Sequence, residues 1–109
     1  MSASRYEIVL SLDAKQDIYT TIIYLERDKS KLAAENWKTR IITALESLSH
    51  MPHRCHRIFE KEDMGGEIRS LLCHPHRIIF EISEERKRVV VLRVYHERRE
   101  PLTIEDFGT

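Results

Sequence analysis

The feature that most constrains this chain is a change of hydrophobic period near its middle. Ala33, Trp37, Ile41, Ala44, Leu45 and Leu48 recur on one helical face for more than four turns. Further on, Ile78, Phe80 and Ile82, and then Val90, Leu92 and Val94, recur at every second residue. A helix buries a stripe and a half-covered sheet buries one face, so these two segments belong to facing layers.

The first half supplies a second helix. Ala14, Ile18, Ile22 and Leu25 form a stripe ending near Arg27, and Asp13 with Gln16 reads as a cap and its box partner. Only Asp28 to Ser30 separates the two helices, so they form an antiparallel hairpin, with Asp28 or Ser30 capping the second. That helix ends near His50, with Pro52 just beyond. Before the hairpin, Tyr6, Ile8, Leu10 and Leu12 alternate as a first strand. After it, residues 51–66 have no period, although a short strand around Arg57 to Phe59 fits inside them. Three strands follow: Glu67 to Cys73, His76 to Ser83 and Arg88 to His96. The charged link Glu84 to Lys87 makes the last two an antiparallel hairpin. The expected fold is α+β: a small antiparallel sheet with an N-terminal strand and a two-helix hairpin packed on one face. Residues 1–109 read as one domain, with 100–109 as a tail.

Composition narrows the setting. Hydrophobic residues make up 41% and charged residues 33%, which suits a solvated globular domain. No apolar run approaches the roughly 20 residues that span a bilayer, and no signal core follows the N-terminus. The expectation is a cytoplasmic protein without a membrane partner, with Cys55 and Cys73 as free thiols. Eighteen basic residues balance eighteen acidic ones, so no bulk field draws the chain to nucleic acid. From residue 50 onward, nine of eleven basic residues are arginine, and all six histidines lie there. Arginine forks onto phosphate or carboxylate and histidine titrates near neutrality, so chemistry belongs to the second half.

Strand parity then nominates residues. If Ile78, Phe80 and Ile82 face the helices, Arg77 faces away; by the same parity Arg93 and Tyr95 do so, and Arg69 joins them if Ile68, Ser70 and Leu72 face inward. Such a surface of Arg69, Arg77, Arg93 and Tyr95 suits phosphate contact and stacking; the plainer alternative is a solvated strand face paired with Glu67 and Glu81. The segment from Arg93 to Arg99 closes the last strand with His96, Arg98 and Arg99, an acid–base group among phosphate-holding cations. The clusters His53, Cys55, His56 and Cys73, His74, His76 match no familiar zinc spacing. Neither metal nor cofactor is expected. Trp37 and Phe80 read as core.

In order along the chain, these segments resemble the RelE/ParE superfamily of bacterial toxins. The matching marks are Tyr6-Glu7-Ile8 and Ser11, then Ala14, Asp17-Ile18 and Tyr24 on the first helix. They continue with Ala33 or Ala34, Trp37 and His50-Met51-Pro52, then Ile68-Arg69, the strand from His76 to Phe80, and the stretch from Val91 to Arg99. The resemblance covers residues 5–99. It implies the toxin of a type II toxin–antitoxin system, a partner of a cognate antitoxin protein, as a homodimer or a toxin–antitoxin hetero-oligomer.

The resemblance leaves two targets and a third outcome. ParE-like members act on DNA gyrase. RelE- and YoeB-like members cut messenger RNA on the ribosome without metal. For that branch, Arg77 stands at the phosphate-binding arginine, His96 at the general acid, Arg98 or Arg99 at a further arginine and Arg69 near a lysine. Glu67 departs from another lysine, and only Glu60 or Glu62 is placed to be a base. The third outcome is a family member that binds antitoxin but is not toxic. The long helical hairpin and zero net charge favour the ParE-like branch.

Overall fold

The computed structural model describes residues 5–61 and 66–98, with the side chains of 59–61, 66 and 67 set aside. The elements are β1 (Glu7–Leu10), α1 (Leu12–Asp28), α2 (Lys31–Ser47), a 3-10 turn at Pro52–Arg54, β2 (His56–Lys61), β3 (Gly66–Cys73), β4 (His76–Ser83) and β5 (Arg88–His96). The non-periodic stretch thus holds the turn and a strand longer than expected. Pairing with β3 makes β2 a strand, although its own alternation is broken by a shift between Arg57 and Phe59.

The sheet order is β1-β5-β4-β3-β2. Strands β2 to β5 form an antiparallel meander. β1 adds to β5 in parallel, pairing Glu7 with Arg88 through Leu10 with Val91, so the sheet is mixed. The parallel pair follows from the connection. The helical hairpin carries the chain across the sheet to its far edge, and the meander returns to β1 in the same direction.

α1 starts one residue after β1, and Ser11 is its cap where Asp13 was expected. Ser11 has extended backbone, its Oγ accepts from Ala14 N at 3.0 Å, and its hydroxyl donates to Leu92 O at 2.9 Å. Asp13 lies inside the first turn, where its charge suits the helix dipole. Ser30 caps α2, accepting from Ala33 N.

The main core lies between the hairpin and one sheet face. Trp37, Ile41, Leu45 and Leu48 meet Ile78, Phe80, Ile82, Val89, Val91 and Val94 there, with Ile18, Ile22 and Leu25 packed alongside. Trp37 is 3% exposed. Two expected members differ, Val90 and Leu92. Ile79 pairs with Arg93 while Phe80 pairs with Val91, which leaves Leu92 as an extra residue in a β-bulge. The bulge reverses parity, so Val89 and Val91 face the helices and Leu92 packs on the other side with Ile68 and Ile79. Among the described residues no helix is long and apolar enough to cross a membrane.

β5 outruns β1, and α1 satisfies the remaining edge. The Asp17 carboxylate accepts from Val94 N at 2.9 Å and from Arg93 Nε and Nη2 at 2.8 and 3.0 Å. Both side chains of this ion pair are 16% exposed. Asp17→Ala would leave a backbone N–H and a guanidinium without their shared acceptor, at a cost of about 2–3 kcal/mol. Urea denaturation measures it, and a loss below about 0.5 kcal/mol would mean this edge behaves as an ordinary surface pair.

Candidate functional site

Two regions gather the chemistry-bearing side chains, and strand alternation puts them on opposite sides of the sheet. The first is the face turned away from the helices. Arg77 on β4 stands opposite Leu72 on β3 and Tyr95 on β5. Its Nη1 donates to Ser70 Oγ at 3.2 Å. On the same face Ile68 and Ile79 are fully buried, flanked by Ile58, Leu92 and Tyr95, while Leu72 is half exposed. Burial also pushes the Glu81 carboxyl up on this face.

Arg69 and Arg93, expected on this face, are elsewhere. Arg69 pairs across from Phe80 and shares its helix-facing side. It is 9% exposed, and Nη1 donates to His53 O at 3.0 Å and Cys55 O at 2.7 Å, pinning the loop after α2. The expectation assumed that Ile68 faces inward, but Ile68 packs on the opposite face, which inverts β3. Arg93, beside the bulge, is turned to Asp17 on α1.

The second region lies where the tip of the helical hairpin overhangs the ends of β4 and β5. Trp37 Nε1 donates to His76 Nδ1 at 3.1 Å, and the ring of His96 stands edge-on to His76 at 5.3 Å. His96 Nδ1 accepts from Arg98 N at 3.1 Å. Arg40 on α2 donates to the His74 carbonyl. These side chains border an open cleft of about 870 Å³, which Tyr24 and Leu25 of α1 and Lys29 of the hairpin turn complete. The structure therefore joins His96 with Arg98 and separates both from Arg77. Arg99 and Glu62 lie outside the described residues, as do the side chains of Glu60 and Glu67 and the tail 100–109.

Three participants were not legible as such. By its stripe Trp37 is core alone, yet a buried indole N–H requires an acceptor, and that requirement is the signal for a polar partner. His76 was grouped with Cys73 and His74. The three diverge: His74 pairs with Glu97 at 2.7 Å, Cys73 Sγ lies 3.8 Å from Arg40 O, and His76 accepts from Trp37. Arg40 stood out by no pattern at all.

The histidine- and cysteine-rich loop is held at the other end of the molecule. Glu84 accepts from Tyr6 Oη at 2.9 Å and meets His53 Nε2 at 2.6 Å and Lys87 Nζ at 3.1 Å. The Tyr6 hydroxyl, and then Lys87, hold the Glu84 carboxyl below its ordinary range. Burial pushes the Cys55 thiol up, the reverse of an activated nucleophile. This loop is a structural clasp.

His76 carries the clearest titration signature. Burial first, and then the nearby His96 and Arg40, lower its pKa from 6.5 to about 4, against an opposing pull from Glu97. In the unfolded chain the ring takes up a proton below about pH 6.5; in the folded chain it stays neutral until about pH 4. Its contribution to stability is therefore whole above pH 6.5 and is lost as pH falls towards 4. Histidine NMR titration should find one imidazole near pH 4, and His76→Asn should flatten the stability slope in that window. An ordinary titration midpoint for His76 would show that burial beside His96 and Arg40 does not hold the ring neutral.

Comparison with known proteins agrees with this architecture. The model of the ParE toxin of the type II toxin–antitoxin system parDE matches residues 8–101. A search of curated proteins found no match. Among solved structures, the chromosomal ParDE system from P. aeruginosa is similar with a TM-score of 0.70 at 14% identity, covering 86% of this chain and 98% of that one. The archaeal RelE–RelB complex from Pyrococcus horikoshii OT3 has a TM-score of 0.60 at 11% identity, covering 87% and 98%. The RelBE2 complex from Mycobacterium tuberculosis has a TM-score of 0.52 at 19% identity, covering 87% and 94%. The structural likenesses speak for the fold, and the match along nearly the whole length speaks for the lineage: the chain belongs to the ParE toxin family of type II toxin–antitoxin systems.

Proposed function

We propose that this protein is the toxin of its pair, acting in the cytoplasm by binding DNA gyrase, and that a cognate antitoxin neutralises it in a hetero-oligomer. The observation that carries the choice of target is the separation of Arg77 from His96. Metal-free cleavage of a phosphodiester needs a proton donor and a charge-stabilising cation at one phosphate, each within hydrogen-bond reach. Here adjacent residues of β4 face opposite ways: Arg77 lies across from Tyr95, and His76 across from His96. His96 stands against His76 on the helix side, while Arg77 bonds Ser70 on the other face.

The face with Arg77 instead has the make-up of a protein-binding patch. An arginine stands between a tyrosine and a half-exposed leucine, beside fully buried isoleucines on the same face. Arginine and tyrosine dominate interface hot spots because they combine large contact area with directional polar groups. Zero net charge also suits a protein target better than ribosomal RNA, where affinity rests on neutralising phosphates. For the antitoxin, the sheet offers the outer edges of β1 and β2, each paired on one side among the described residues.

Purified protein should inhibit gyrase supercoiling with no ribosome present, and its expression should raise a DNA-damage response. Arg77→Glu should weaken inhibition by about tenfold or more, with the far-ultraviolet circular dichroism spectrum unchanged. Messenger RNA cleavage on ribosomes, with gyrase unaffected, would reverse the assignment.

A further inference from the structure

The cleft under the hairpin tip is not used by the proposed function, yet its polar groups are selected for one sign. Lys29, Arg40 and Arg98 supply three positive charges, and among the described residues no carboxylate lines it. Glu97, between His96 and Arg98 in sequence, pairs with His74. In a chain with as many acids as bases, such a lining departs from the average surface.

The two histidines sharpen this. A neutral imidazole has one donor and one acceptor nitrogen. His76 Nδ1 already accepts from Trp37, and His96 Nδ1 already accepts from Arg98 N, so a neutral ring at either position presents its N–H at Nε2. Both rings border the cleft with their acceptor consumed, and among the described residues neither Nε2 donates a hydrogen bond. Guanidinium, ammonium and imidazole N–H are all donors, and their common ligand is an oxyanion.

The cleft is also larger and less polar than a bare phosphate requires. Its volume of about 870 Å³ lies within the range of small-molecule sites, roughly 300–1,000 Å³. Leu25, Ala33 and Trp37 give an apolar floor, and Tyr24, half exposed at its mouth, offers a ring for stacking.

We infer that this cleft binds a nucleoside phosphate, either free or as one unit of a nucleic-acid strand. Arg40, Arg98 and Lys29 hold the phosphate oxygens, with imidazole N–H donors beside them. The base lies on Tyr24 over the apolar floor. The site lies on the opposite side of the sheet from Arg77, so it stands or falls separately from the gyrase-binding reading.

Trp37 is the only tryptophan of the chain and forms the cleft floor, which makes its fluorescence a direct probe. The full chain is titrated with adenosine diphosphate, oligothymidylate, pyrophosphate and poly-glutamate, exciting the indole at the red edge of its absorption. Adenosine diphosphate should change the emission saturably, and pyrophosphate should bind at least about tenfold more weakly. Oligothymidylate binding more tightly than the nucleotide identifies a strand as the source; weaker binding identifies the free nucleotide. The double variant Lys29→Glu, Arg98→Glu, at two exposed positions, should weaken binding by about tenfold or more with circular dichroism unchanged. Three results would overturn the inference: no saturable response to either nucleotide probe, equal binding of pyrophosphate and nucleotide, or displacement of the nucleotide by poly-glutamate at equal charge.

Discussion

The structure depends on a mismatch of length. β5 has nine residues and β1 only four, so among the described residues the edge of β5 beyond Val91 has no strand to pair with. Unpaired backbone groups at the margin of a core are costly, and α1 is laid down so as to meet them. Ser11 caps the helix and bonds Leu92 O, and one turn and a half later Asp17 takes Val94 N and Arg93 together. The bulge at Leu92 falls in this same stretch, where β5 passes from a strand neighbour to a helix neighbour. The seat of the hairpin, the direction of Arg93 and the overhang that forms the cleft all follow from this handover.

The sheet works as a partition. β4 is buried along much of its length, and its alternation sends His76, Ile78 and Phe80 to the helices and Arg77 and Ile79 to the other side. A one-residue step along β4 therefore separates two chemistries. On one side lies an arginine–tyrosine surface suited to a protein partner. On the other lies a cationic cleft backed by a tryptophan–histidine bond. The pleat thus puts Arg77 and His96 on opposite faces, which is the physical support for the binding role proposed above.

Sequence periodicity exposed much of this architecture: both helices, the spans of β4 and β5 and the stripe from Trp37 to Leu48. These are legible because their signal is local. A helical stripe or an alternating run declares its own period and buried face within a dozen residues.

What only the tertiary structure decided is whatever depends on a neighbour distant in sequence. That β1 runs parallel to β5 depends on where the meander ends. That Leu92 is an extra residue depends on its register with β4, and the single insertion carries Val89 and Val91 to the helix side. Arg69 turns inward because it finds the carbonyls of His53 and Cys55 there, a site created only when the loop folds back on β3. Trp37 and His76 lie far apart in sequence, and each alone reads as an ordinary residue of its element. By itself, the sequence determined which elements form and which stripe each buries, since period and propensity are properties of the segment. Pairing, register and the partners of buried polar groups were settled by the assembled fold, because a hydrogen bond between distant segments exists only once both are in place.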